Sequence, residues 1–120
     1  MRKRSHEPVF WALFGAGGVF SAIFAPVIVF LTGLAIPLGL LNPGRLNFER
    51  IHSAVSSLPG AVFLFVTISL LLWHAMHRIN HSLHDFGIDA GMTGKVVCYG
   101  CALAGTVAAG YFLAAIMLQT

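Results

Sequence analysis

Three apolar stretches, Pro8 to Gly44, Ser53 to Ala75 and Val96 to Thr120, contain no Asp, Glu, Lys or Arg and take up most of the 120 residues. A helix needs about 20 residues to cross a hydrocarbon core, and each stretch supplies at least that. Backbone groups in segments this apolar must be hydrogen-bonded internally, and no strand-length alternation of lipid-facing and lumen-facing residues points to a closed barrel. The expected fold is therefore an all-α membrane protein. It has three transmembrane helices, at roughly 8–38, 56–85 and 93–119, in one transmembrane domain. Composition leads to the same place: 58% of residues are hydrophobic and 9% charged, whereas a soluble domain carries about 25% charged residues. No soluble domain, linker, repeat or low-complexity tract is apparent.

Arg2, Lys3 and Arg4 precede an apolar run, as in a signal peptide, but the run far exceeds a signal core of about 7 to 15 residues and reads as a retained anchor. Lys and Arg also set orientation. The N-terminal tail and the second connection (Arg78, Lys95) hold five, the first connection (Arg45, Arg50) two, and the C-terminus none. By the positive-inside rule the N-terminus and second loop face the cytoplasm and the C-terminus the periplasm of a bacterial inner membrane.

Pro8 suits the first turn of helix one, just after the acidic Glu7. Pro26 then predicts a kink, and Pro37 an end. Asn42 to Arg50 reads as turn residues followed by a short polar segment, and Pro59-Gly60 marks the start of helix two. Helix three carries two rows of small residues, Gly100, Ala104, Ala108 and Cys101, Gly105, Ala109. Such ridges let backbones approach closely, so a tight interface is expected with another span of this chain or of a partner.

Chemistry concentrates in Trp73-His74-Ala75-Met76-His77-Arg78-Ile79-Asn80-His81-Ser82-Leu83-His84-Asp85, which holds four of the six histidines. At about 100° per residue, His74, His77, Arg78, His81, His84 and Asp85 fall within an arc of about 120°, and His84 lies about 15 Å beyond His74. The stripe therefore begins at the inner membrane edge and runs on into water or a partner protein. For His81 and His84 a solvated or partner-contacting face is the simpler reading.

His77 and Arg78 differ because Trp11, Phe14 and Gly15, at the start of helix one, belong to the same interface. Phe10 and Trp11 fit an aromatic belt. Phe14, followed by Gly15-Ala16-Gly17-Gly18, adds a backbone stripped of side chains beside an imidazole and a guanidinium. Planar apolar walls with polar donors at the rim suit a quinone ring. Cys98-Tyr99-Gly100-Cys101 has thiol-pair spacing, yet it sits in an apolar span, and two thiols alone do not complete a usual zinc or iron–sulfur site. Packing is the expected role. The spans hold no Asp or Glu for an ion or proton relay through the bilayer.

Glu7-Pro8-Val9-Phe10-Trp11-Ala12-Leu13-Phe14-Gly15-Ala16-Gly17-Gly18, Ala25-Pro26, Pro37-Leu38-Gly39-Leu40 and the His77-Arg78 to His84-Asp85 segment together resemble the D-subunit family of fumarate reductases. The resemblance runs from about Glu7 to the C-terminus. It implies a small hydrophobic membrane anchor that, with a similar C-type anchor, holds the flavoprotein and iron–sulfur subunits of fumarate reductase at the cytoplasmic face, in anaerobic respiration. Electrons pass from menaquinol through the iron–sulfur subunit to flavin, where fumarate becomes succinate. By matching position, Trp11, Phe14, Gly15, His77 and Arg78 are expected to line the quinol site beside polar residues from the C-type anchor, which supplies the principal acid–base group. FAD and iron–sulfur clusters belong to the partners. This chain is expected to be non-catalytic on its own, with no haem, no metal site and no nucleic-acid partner. The sequence departs from the family pattern at Asn80, where a histidine often precedes His81, and at Cys98 and Cys101, which replace bulkier apolar residues.

Two other readings compete. A haem b cytochrome anchor of a succinate dehydrogenase type complex needs axial imidazoles from facing helices, whereas His6 and His52 lie in the tail and outer loop and the other four share one helix. A small metal-handling transporter could chelate a divalent ion through histidines three and four apart, but one polar end offers no path across the bilayer.

Overall fold

The computed structural model describes residues 7–120, so the Arg2, Lys3, Arg4 cluster on which the orientation reading partly rests lies outside the described residues. The chain forms α1 (Glu7–Phe30), a π-helical turn (Leu31–Ala35), a 3-10 turn (Pro43–Leu46), α2 (Phe48–Ser56), α3 (Leu58–Asp85) and α4 (Gly91–Leu118). No strand occurs among the described residues. Three helical segments, Trp11–Ala35, Leu58–Asp85 and Gly91–Leu118, are long and apolar enough to span a membrane. The chain is a multi-pass membrane protein.

Local chemistry sets each boundary. α1 continues through Pro26, and one turn later the backbone widens into the π turn, where Ile36 N–H donates to Leu31 O at 3.1 Å. Helical bonding ends near Gly39, whose φ of +73° is a conformation that a side chain disfavours. The Asn42 side chain accepts from Gly44 N–H at 2.8 Å and opens the 3-10 turn. Asn47 caps α2 through Arg50 N–H at 3.0 Å, and Ser57 caps α3 through Gly60 N–H at 3.2 Å. Pro59 in the first turn of α3 forfeits no helical bond.

α2 is an addition to the sequence reading, which treats this stretch as a loop. Its signals are nevertheless present: Asn47 as cap, then Phe48, Ile51 and Val55 at helical spacing opposite Glu49, Arg50 and Ser53. The segment is too short and polar to register as a span.

α3 is the central element, with α1 and α4 each packed along it. At about 1.5 Å per residue, its 28 residues measure about 42 Å against a hydrocarbon core of about 30 Å. Standing along the bilayer normal, this helix would extend about 12 Å beyond the hydrocarbon core.

The α3–α4 seam is built from small residues. Gly94, Cys98, Ala102 and Leu113 of α4 are buried. A Cβ on Gly105 would lie 2.8 Å from Leu72 Cδ1, and one on Gly110 3.3 Å from the Phe65 ring. Trp73 Nε1–H donates to Thr106 Oγ1 at 3.1 Å, while the Thr106 hydroxyl donates to Ala102 O at 2.8 Å. The expected close packing therefore resolves into two faces. Gly105 faces α3, whereas Gly100, Ala104 and Ala108 lie exposed, with nothing within 4 Å of a Cβ on Gly100. Large apolar side chains along α1, α3 and α4 remain exposed, among them Val19, Ile23, Val66 and Val107. In a span, such surface meets lipid or a neighbouring helix.

Candidate functional site at the histidine-bearing end

The close approach of α1 to α3 begins at glycine. A Cβ on Gly17 would strike the Leu70 carbonyl, and one on Gly18 would sit 2.8 Å from His74 Cε1. Leaving these positions without side chains lets the two helices meet. His74 then fills the gap and donates from Nδ1–H to the Phe14 carbonyl at 2.6 Å. Gly15 differs, having nothing within 4 Å of its Cβ position. Of the glycine run read as a bare surface for a flat ligand, only Gly15 is open; Gly17 and Gly18 are consumed by packing.

That contact brings Phe14 over α3. Its ring stacks on His77 with centroids 4.1 Å apart and planes 10° from parallel. From the third span, the Tyr99 hydroxyl hydrogen-bonds His77 Nδ1 at 2.8 Å. Trp73 stacks beyond Tyr99 with centroids 6.1 Å apart and planes 23° from parallel, and is itself fixed by Thr106. His77 is thus held on one ring face by α1 and at one nitrogen by α4.

A cavity of about 170 Å³ opens here, lined by Trp11, Phe14, Gly15, His74, His77 and Arg78. All five site residues expected from the sequence border it. Two further participants escape sequence reasoning. His74 belongs to the polar stripe, and its position three residues before His77 is the signal that puts it on the same face. Tyr99 falls within a thiol-like motif, and nothing in the sequence ties it to a histidine 22 residues away. The two cysteines differ in environment, Cys98 buried in the α3–α4 seam and Cys101 exposed, and both thiols are free.

Trp11 is 79% exposed, so its indole is unclaimed by its own chain. Ligand pockets span about 300 Å³ or more, and this cavity is smaller and open. Its walls suit a planar ring: Phe14 and Trp11 offer π faces, His77 and Arg78 offer hydrogen-bonding groups at the rim, and Gly15 lets a ligand reach the backbone. Across the α1–α3 contact lies an apolar hollow of about 310 Å³ lined by Leu13, Phe14, Ser69, Leu70 and Trp73. Among the described residues, no group of three or more His, Cys, Asp or Glu side chains converges to hold a metal ion.

Three spans, little buried core of their own and a half-open cavity at one end define a small membrane protein that leaves much of its apolar surface uncovered by its own chain. Residues 1–114 match the family model described as the fumarate reductase D-subunit. Relatives carrying that same name include one from Vibrio vulnificus, 45% identical over 107 residues, covering 89% of this chain and 84% of the relative. Another, from Aliivibrio fischeri, is 43% identical over 111 residues and covers 92% of each chain. One from Shewanella is 44% identical over 107 residues, covering 89% of this chain and 88% of the relative. The chain belongs to the D-subunit family of fumarate reductases.

Proposed function

We propose that this protein anchors fumarate reductase to the bacterial inner membrane and supplies one wall of its menaquinol site. The observation that carries the reading is the convergence of Trp11, Phe14, Gly15, His77 and Arg78 on one cavity at a single end of the spans. In this reading the N-terminus and the loop after Asp85 face the cytoplasm and the C-terminus the periplasm, which follows from the distribution of Lys and Arg. The C-type anchor completes the half-open cavity and provides the principal acid–base group. The flavoprotein and iron–sulfur subunits dock at the same end and carry the FAD and clusters.

Within the site, the quinol ring lies against Phe14 and Trp11, with its oxygens toward His77 and Arg78. Arg78, always charged, binds an oxygen that gains negative character as the quinol is deprotonated. His77 accepts a proton at its free edge. The electron pair leaves for the iron–sulfur subunit, and fumarate receives it elsewhere in the complex.

The test separates quinol oxidation from fumarate chemistry. His77→Ala and Trp11→Ala should each weaken quinol-driven fumarate reduction while leaving assembly and dye-driven fumarate reduction largely intact. Normal quinol oxidation in both variants would remove the site assignment.

A further inference from the structure

Beyond the ring-binding cavity, a second hollow of about 320 Å³ is lined by Trp11, His77, Arg78, His81, His84 and Asp85. Trp11, His77 and Arg78 border both spaces. The His81 ring stands edge-on to His77, with centroids 4.4 Å apart and planes at 66°. We propose that His81, followed by His84 and Asp85, forms the exit route by which protons released from the quinol pass from His77 to the aqueous surface at that end of the helix. This rests on the reading of the smaller cavity as the quinol site.

The surroundings of His77 leave this direction open. One ring face is covered by Phe14, and Nδ1 is bonded to Tyr99. With Nδ1–H donating to the Tyr99 oxygen, the lone pair at Nε2 is the remaining place for a proton. His74 turns instead to the Phe14 carbonyl. Among the described residues, the titratable and charged groups around His77 are His74, Arg78 and His81 on its own helix and Tyr99 from α4. Of these, Arg78 and His81 border the outer hollow; Arg78 keeps its proton, which leaves His81 as the group that can relay one, and a single bridging water suffices for transfer between imidazoles. Oxidation of one quinol breaks two O–H bonds and releases two electrons and two protons. The electrons pass to the one-electron acceptors of the iron–sulfur subunit and on to fumarate; one proton leaves through the principal acid–base group of the C-type anchor, and the other moves from the quinol oxygen to His77 Nε2, then to His81, then to water beside His84 and Asp85.

The experiment uses the assembled complex in its native membranes, with a water-soluble naphthoquinol or a viologen dye as reductant, and compares His77→Ala, His81→Ala and His81→Gln. Positioned acid–base groups contribute about 100-fold or more, and water in the hollow replaces part of that, so His81→Ala should lower quinol-driven turnover about tenfold. The naphthoquinol KM and dye-driven rate should be unchanged, and imidazole in the buffer should restore part of the loss. His81→Gln, which keeps bulk and hydrogen bonding but carries no titratable nitrogen, should behave like His81→Ala and serves if the alanine variant assembles poorly. Unchanged turnover, a loss confined to KM, or no recovery with imidazole would overturn the route. If His77→Ala is impaired while both His81 variants are normal, the route alone fails; if His77→Ala is also normal, the quinol-site reading fails with it.

Discussion

The Phe14 ring lies 4.1 Å from that of His77 and within 10° of parallel, so an aromatic from the first span fixes the plane of an imidazole on the second. Such pairs are worth about 0.5 to 1.5 kcal/mol beyond area burial. If Phe14 also forms the floor for the quinol ring, Phe14→Ala should raise the quinol KM about two- to tenfold, taking that energy at about 1.4 kcal/mol per tenfold. Dye-driven fumarate reduction should not move. Steady-state kinetics with both reductants decides the matter, and an unchanged KM would show that the ring sits elsewhere.

Tyr99 tests how far the positioning of His77 matters. Tyr99→Phe removes the hydroxyl from Nδ1 and leaves the aromatic body beside Trp73 and Phe14 in place. One such hydrogen bond is worth about 1 kcal/mol, so a loss of about fivefold in quinol-driven turnover is expected with normal amounts of complex. A fall in complex abundance instead would mean that the bond serves folding.

The glycines of α1 divide into two kinds, and substitution should separate them. Gly17→Val places a branched side chain against the Leu70 carbonyl and the His74 Cβ. Overpacking of this kind costs about 1 to 3 kcal/mol, or more where backbone is the obstacle. Less chain should accumulate in the membrane, measured by immunoblot. Gly15→Val meets open space inside its own chain. It should accumulate normally yet lose quinol oxidation, because the branched group fills the cavity. Equal accumulation of the two variants would refute the division.

This contrast also marks what is legible in the sequence. Three spans are plain because charge-free length is a property of composition along the chain, independent of packing. The cluster of Trp11, Phe14, Gly15, His77 and Arg78 is legible because both helices have to bring their polar ends to the same membrane edge. Gly17 and Gly18 cannot be told from Gly15, since which glycine faces another helix depends on rotation about the axis of α1, and that face is set by where His74 fits. Tyr99 is hidden for the same reason, its partner being on another helix. α2 escapes notice because nine mixed residues carry too little apolar surface to outweigh the turn signals around them.

The Trp73 to Thr106 hydrogen bond ties α3 to α4 inside the apolar region. Interhelical bonds of this kind couple by about 0.6 kcal/mol on average. A cycle of Trp73→Phe, Thr106→Val and the double variant should return a coupling of that order in unfolding from mild detergent. A coupling near zero would mean that the indole finds another acceptor once Thr106 is gone.

α4 finally offers two glycines that look equivalent in sequence and differ in structure. A Cβ on Gly105 meets Leu72, whereas nothing lies within 4 Å of one on Gly100. Gly105→Leu must therefore disturb the α3–α4 seam itself and lower the amount of chain in the membrane. Gly100→Leu leaves that seam alone, as does Ala104→Leu on the same exposed row. Small exposed residues four apart are what a neighbouring helix needs for close approach, so both should accumulate as chain while lowering the amount of assembled complex recovered with it. Co-purification of flavin with a tagged copy, normalised to chain, reads the difference directly. Full flavin recovery in both variants would assign that row to lipid and leave the partner contact to another face.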